Sequence, residues 1–382
     1  MKIVFTGGGT GGHFYPIIAV AEEVNALTRE RKLVNVKLYF LSEQPYDHRA
    51  LFDNGLEFVA VASGKWRRYF TPRNFLRNLF DLVRLGLGLV TALFKLYFIY
   101  PDVVFSKGGY ASVPVVWAAH WLGLPVFIHE SDTRPGRANL WASRFAKRIA
   151  VSYPEAVDYF KPADRGKIAV TGNPLRMNFK HPLRQGAREF LQLEPNRPVV
   201  FVTGGSQGAR AINDVVVDIL PSLLKEYAVI HQVGRDNFSD IKKRTQTVLA
   251  GHPQADRYKL FDYLNESAMR MVAGVSDLVI SRAGSTIFEI AEWGIPAILI
   301  PIPEKISHDQ RTNAFTYART GAAVVIEQDN LLPSVLLTEI NRLLKNQKLL
   351  ETMRLNAKNF SKPNAARLIA EELIKIALSH ER

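Results

Sequence analysis

Val4-Phe5-Thr6-Gly7-Gly8-Gly9-Thr10-Gly11-Gly12-His13 is a short apolar run that halts at five glycines within six positions. The order returns at Val200-Phe201-Val202-Thr203-Gly204-Gly205-Ser206-Gln207-Gly208. Each stretch reads as a buried strand, a glycine turn and then a helix, over 14–27 in the first case and 209–225 in the second. Outward from these two anchors, β-branched runs alternate with helix-length segments along the whole chain. In the first half the strands are predicted at 2–6, 36–41, 58–61, 103–105, 126–128, 148–151 and 168–170. In the second half they fall at 199–203, 228–232, 259–261, 278–280, 297–300 and 323–326. Strands separated by helices imply parallel sheets covered on both faces. The fold class is therefore α/β, with two doubly wound Rossmann-like domains. The domains are predicted at 1–172 and 198–360, joined by a proline-broken linker at 173–197. A tail at 361–382 carries a helix with no strand after it, which is expected to pack back on the first domain.

The chain of 382 residues is long enough for two cores. An apolar share of 47% with 22% charged residues excludes disorder and collagen-like architecture. The absence of cysteine excludes a disulfide framework, a thiol nucleophile and any cysteine-based metal site. No HExxH, clustered histidine spacing or Asp-x-Asp pair occurs, so no metal and no cofactor is expected.

The net charge of +13 favours phosphate-bearing or membrane-surface partners. It is spread over both halves and forms no stripe with regularly placed stacking aromatics, which argues against nucleic acid. One segment stands out. Between 65 and 95 lie Lys65, Arg67, Arg68, Arg73, Arg77, Arg84 and Lys95 with a lone acid, Asp81, among large apolar residues. Such interleaving suits an anionic membrane surface met through 65–90, and a plain amphipathic surface helix is the alternative. The longest uncharged run, 85–94, is about half of the roughly twenty residues a span needs, so the segment is expected to lie on the interface. The N-terminus reaches its glycines too early for a signal peptide.

Glycines after a strand let the backbone approach a ligand, and the following helix presents its positive end to phosphate. Gly7, Gly9 and Gly12 formally satisfy a dinucleotide fingerprint, in which Glu43 would hold a ribose. A second glycine loop in its own domain points instead to a ligand held between two domains. His13 ends the first loop and suits proton abstraction from a sugar hydroxyl; a cap or packing role is the alternative. Ser206 in the second loop offers its hydroxyl to a diphosphate. At 281–292 a strand runs into a small-residue turn, with Ser285 or Thr286 as helix cap. Glu289 lies one turn in, placed either for two ribose hydroxyls or for a capping box. Asp309, Gln310 and Asn313 gather at a further helix start and suit sugar hydroxyls, or form a solvated first turn. His129-Glu130-Ser131-Asp132 and Lys107-Gly108-Gly109-Tyr110 follow strands, at the edge where open α/β sheets bind ligands.

The ordered set GGGTGGH (7–13), KGGYAS (107–112), HESD (129–132), TGNPLR (171–176), GGSQGA (204–209), SRAGSTIFE (281–289) and DQRTNA (309–314) resembles the MurG family. That family comprises the UDP-N-acetylglucosamine–N-acetylmuramyl-(pentapeptide) pyrophosphoryl-undecaprenol N-acetylglucosaminyltransferases. The resemblance runs from about residue 1 to 360. It implies the GT-B fold, two Rossmann-like domains facing across a cleft. It also implies inverting transfer of N-acetylglucosamine from UDP-N-acetylglucosamine to the muramyl C4 hydroxyl of lipid I. The product, lipid II, serves peptidoglycan synthesis, and the enzyme sits peripherally on the cytoplasmic face of the membrane.

By motif, the resemblance places the acceptor diphosphate near Gly11, Gly12 and His13, with Lys107, Gly108, Gly109 and Tyr110 beside it. Thr10, Gly11, Gly12 and Asp132 would also touch the donor. Its diphosphate falls to Ser206 and Arg176, its uracil to Phe261 and its ribose to Glu289. Ser285 and Thr286 would offer backbone contacts, and Asp309 and Gln310 would meet the N-acetylglucosamine. His13 is the first choice of base and Glu130 the second. Two departures stand out: Asp132 where many members have Asn, and a turn before Glu289 one residue shorter than usual. Other lipid-directed UDP-sugar transferases and UDP-N-acetylglucosamine 2-epimerases are the alternatives within enzymes. A non-catalytic nucleotide-binding protein is the alternative outside them.

Overall fold

The structure, a computed structural model, describes residues 1–64, 72–205, 208–305 and 308–380. By its internal contacts the chain divides into one unit of Met1–Arg176 with Lys362–Arg382, and another of Met177–Ser361. Among the described residues each unit holds one parallel sheet. The first contains β1 (Lys2–Thr6), β2 (Lys37–Ser42), β3 (Leu56–Ala60), β4 (Val103–Ser106), β5 (Val126–Glu130), β6 (Arg148–Val151) and β7 (Ile168–Val170). Their spatial order is 3-2-1-4-5-6-7. The second contains β8 (Val199–Thr203), β9 (Ala228–Gln232), β10 (Tyr258–Phe261), β11 (Leu278–Ser281), β12 (Ala297–Leu299) and β13 (Ala323–Val325). Their order is 10-9-8-11-12-13. In both sheets the order reverses beside the strand that feeds a glycine loop, β1 in one and β8 in the other. That reversal is where doubly wound sheets open a crevice for ligands.

The strands read as apolar runs because both faces are covered. Ile3 and Phe5 enter one core layer with Phe14, Phe40 and Phe105. Val4 enters the opposite layer with Leu41, Val104 and Ile128. The second unit repeats the arrangement, with Phe201 in one layer and Val200 and Val202 in the other. The Ala365–His380 helix buries Ile369, Leu373 and Ile374 in the layer that holds Ile3 and Phe5. Arg148 to Glu372, at 2.8 Å, and Arg367 to Glu30, also at 2.8 Å, fasten it at the surface.

The basic, apolar segment departs from expectation in length. Residues 65–71 lie outside the described ones, and a single helix then runs from Pro72 to Ile99. Its Phe80–Ile99 part is long and apolar enough to cross a bilayer by length and composition, with a mean hydropathy of 1.8. The short uncharged run therefore did not exclude a span. Packing argues against one, because Ala92 and Leu96 are wholly buried in the core layer of Val4 and Leu41. On the other face Phe80, Val83, Leu87, Val90, Phe94 and Tyr97 are exposed at a three-to-four-residue spacing.

The second unit carries a built-in acid sensitivity. His231 is fully buried on β9, between the Tyr258 hydroxyl at 3.1 Å and Asn213 Oδ1 at 3.1 Å. Burial pushes its imidazole down to about 3. A histidine whose folded value lies below its unfolded 6.5 stabilises the fold above 6.5 and loses that contribution as pH falls towards 3. The free energy of unfolding should therefore fall by up to about 1.4 kcal/mol per pH unit as pH drops across that window. In His231→Gln the slope should flatten by about one proton, whatever the absolute stability of the variant.

Candidate functional site

In the first unit the glycine loop after β1 meets the turn after β4. Gly9 has a φ of +91°, and a Cβ there would lie 2.9 Å from the Tyr110 ring. Gly108 and Gly109 both have a φ of +81°. A Cβ on Gly109 would stand 3.1 Å from the Gly8 carbonyl and 3.8 Å from His13 Nε2. Glycine is thus what lets the two turns touch.

His13 sits in the first turn of the Gly11–Glu30 helix, half-buried, with Nδ1 3.0 Å from the Thr10 hydroxyl. Burial, then the nearby Lys107 ammonium, pushes it down to about 4, so it is neutral at pH 7. Thr10, Gly11, Gly12, His13 and the Lys107–Tyr110 turn are therefore brought together.

Beneath this surface lies a buried polar cluster at the ends of β4 and β5. Lys107 is wholly buried and donates to Ser131 Oγ. Burial pushes the ammonium down while the Glu130 and Asp132 carboxylates pull it back up. Glu130 is 5% exposed. It accepts from the Asp132 N–H at 3.0 Å, the Gly136 N–H at 2.9 Å and Asn139 Nδ2 at 2.9 Å. Burial and Asp132 push its carboxyl up. Three N–H donors on one carboxylate suit a residue that shapes the 130–139 loop more than one that takes a proton from substrate. His129 is buried behind it, with Nε2 2.9 Å from the Gly172 carbonyl. Arg176 also belongs to this unit, its guanidinium 4.2 Å above the Tyr15 ring.

Glu43 is not placed for a ribose. Its carboxylate accepts from Ser63 Oγ at 2.9 Å and from Arg84 at 2.5 Å. The dinucleotide reading of the first loop loses its acidic partner.

In the second unit Ser206 lies outside the described residues. Two of the glycines around it are sterically required: a Cβ on Gly204 would fall 2.2 Å from the Ala209 nitrogen, and one on Gly208, at φ +73°, 2.0 Å from the Val233 carbonyl. The turn after β11 and the His308–Ala318 helix are stitched together. Gln310 Oε1 accepts from the Ile302 N–H at 3.3 Å, and its Nε2 lies 3.7 Å from where a Gly284 Cβ would stand. Buried Asn313 donates to the Ala283 carbonyl at 3.3 Å. The Asp309 side chain lies outside the described ones. Ser285 occupies the N-cap position of the Thr286–Trp293 helix but makes no side-chain cap. The capping expected of Ser285 is thus absent, and Glu289 is half-buried in the first turn. Phe261 ends β10, and its carbonyl accepts from the Val233 N–H at 3.0 Å.

Two residues had no assigned role from sequence. Arg282 donates to the Ile300 carbonyl at 3.0 Å, the Pro301 carbonyl at 3.2 Å and Gln328 at 2.7 Å, fixing the loop ahead of Gln310. An arginine ending an apolar strand was its signal. Asn139 had none, since its partners are set by the tertiary fold. Among the described residues, no group of three or more His, Cys, Asp or Glu side chains is arranged to hold a metal ion.

Two parallel, doubly wound units with ligand-type turns at their switch points define a GT-B protein. Glycosyltransferase family 28 models match in both, the N-terminal domain over 3–151 and the C-terminal domain over 199–371. The chain is a glycosyltransferase. It belongs to the MurG family, the UDP-N-acetylglucosamine–N-acetylmuramyl-(pentapeptide) pyrophosphoryl-undecaprenol N-acetylglucosamine transferases. The transferase of that name from Treponema denticola is 35% identical over 370 residues, covering 95% of this chain and 93% of the relative. That from Clostridium perfringens is 36% identical over 358 residues, covering 93% and 94%. The crystal structure of Acinetobacter baumannii MurG superposes with a TM-score of 0.69 at 24% identity, covering 98% of this chain and 99% of its own. A Listeria monocytogenes structure described as a putative UDP-N-acetylglucosamine 2-epimerase gives 0.72 at 16% identity, covering 100% and 97%. The fold is thus common to transferase and epimerase, and it is sequence identity that separates them.

Proposed function

We propose that this chain transfers N-acetylglucosamine from UDP-N-acetylglucosamine to the C4 hydroxyl of the muramyl sugar of a pentapeptide-bearing pyrophosphoryl-undecaprenol. The observation that supports this most is identity at the 35% level along nearly the full length of transferases named for that activity. The hydroxyl attacks C1 from the face opposite UDP, turning the α linkage into β. In the tautomer whose Nδ1–H donates to the Thr10 hydroxyl, 3.0 Å away, the His13 Nε2 lone pair is the one that takes the hydroxyl proton. Gly11, Gly12 and the Lys107–Tyr110 turn serve the acceptor diphosphate. Ser206 and Arg176 serve that of the donor, Glu289 its ribose, Phe261 its uracil, and Asp309 and Gln310 its sugar. Backbone N–H groups of Ser285 and Thr286 and their helix end offset the charge that develops on departing UDP. Labelled UDP-N-acetylglucosamine with a lipid I analogue tests the reading. A disaccharide product made only when both are present supports it, and sugar epimerised without acceptor overturns it.

The exposed stripe from Phe80 to Tyr97 supports peripheral docking on an anionic membrane, where the acceptor resides. The protein should float with mixed phosphatidylcholine–phosphatidylglycerol vesicles. Leu87→Ser with Phe94→Ser should weaken vesicle binding at least about a hundredfold, since each side chain contributes roughly 1.5–3 kcal/mol when buried.

A further inference from the structure

The helix that bears this apolar stripe is joined to the acceptor-side turns by a contact that neither docking nor catalysis has used. Its inner face is pressed backbone to backbone against the segment leaving β3. A Cβ on Gly88 would fall 1.8 Å from the Ala62 carbonyl, and one on Gly64 would fall 2.0 Å from the Asp81 carbonyl. Between these two close approaches, Arg84 reaches across to Glu43 at the end of β2, and buried Ser63 holds the other carboxylate oxygen. Ser42, the neighbour of Glu43, lies where a Cβ on Gly8 would come within 2.7 Å of its hydroxyl. Tyr110 completes the link. Its ring covers Gly9, and its hydroxyl feels Glu43, Arg84 and Asp81. From lipid-facing helix to glycine loop, the path is short and made of few side chains.

We propose that Glu43 and Arg84 are positioning residues, a charge pair that holds the membrane-facing helix in fixed register with the Gly7–Gly9 and Lys107–Tyr110 turns. Seating of the helix on a bilayer then sets the height at which a lipid-anchored diphosphate meets those turns. A diphosphate whose lipid is buried in a membrane cannot adjust its depth to the protein, whereas a soluble analogue can. The pair therefore matters for the first and not for the second. This rests on the membrane reading above, and the test separates the two.

The test compares the whole protein with Glu43→Gln, Arg84→Met and the exchanged pair Glu43→Arg with Arg84→Glu. Each is assayed with a polyprenyl-linked acceptor in phosphatidylcholine–phosphatidylglycerol vesicles and with a short-chain, water-soluble acceptor. Glu43→Gln and Arg84→Met should float as the parent does and raise KM for the vesicle-borne acceptor about fivefold, which is ~1 kcal/mol for a part-exposed pair. Their kcat, their KM for UDP-N-acetylglucosamine and their KM for the soluble acceptor should stay unchanged, and the exchanged pair should recover most of the loss. An equal change with both acceptors would show a merely structural pair and overturn the proposal, as would no change with either. If the parent itself does not float, the membrane reading falls and takes this inference with it. If the parent floats and KM does not split, the inference alone falls.

Discussion

Replacing His13 with alanine should lower kcat by about a thousandfold and leave the affinity for UDP within about twofold, as loss of a general base worth roughly 10²–10⁴ requires. The pH dependence is the sharper measurement. Burial and Lys107 push His13 down to about 4, so this imidazole is unprotonated over the neutral range. The acid limb of kcat/KM should therefore lie near 4 and not near the usual histidine value. On the proposed reading, acceptor binding would bring a diphosphate beside the ring, which favours the imidazolium. The acid limb of kcat, which reports the loaded enzyme, should then move to higher pH than that of kcat/KM. Identical limbs in the two profiles, or an unchanged kcat in the alanine variant, would remove His13 from the role.

Glu289→Ala should weaken UDP-N-acetylglucosamine binding about a hundredfold, ~2.7 kcal/mol, as expected for two hydrogen bonds to one carboxylate. The 2′-deoxyuridine donor makes the assignment specific. The parent should bind it less well than the ribose donor, and the Glu289 variant should no longer tell the two apart, because the partner of the 2′ hydroxyl is gone. If the variant discriminated as strongly as the parent, the carboxylate would be a helix-cap group and nothing more.

The sheets were legible because their signal is local. A parallel strand covered on both faces must be apolar at successive positions, so Val199–Thr203 or Leu278–Ser281 announces itself without its neighbours. Glycine turns were legible for the same reason. Glu43 was misread because its partners, Ser63 and Arg84, are 20 and 41 positions away. Nothing in the local spacing brings them to it. The Pro72–Ile99 helix was underestimated because Arg84 and Lys95 cut the apolar run, yet Arg84 is answered by Glu43 and is only partly exposed. Lys107 is the same lesson at the site. The sequence reads Lys107 as an acceptor contact, and only the fold places Ser131 over its ammonium.

The Ala365–His380 helix has a bearing on biogenesis. It supplies Ile369, Leu373 and Ile374 to the layer beneath β1, so the amino-terminal unit remains unsealed until the chain has been synthesised past Ile374. The half translated later is self-sufficient by Ser361 and is free to fold ahead of it. Until the sealing helix arrives, the nascent protein carries an open greasy face around Ile3 and Phe5, the kind of surface through which partly made chains stick to one another.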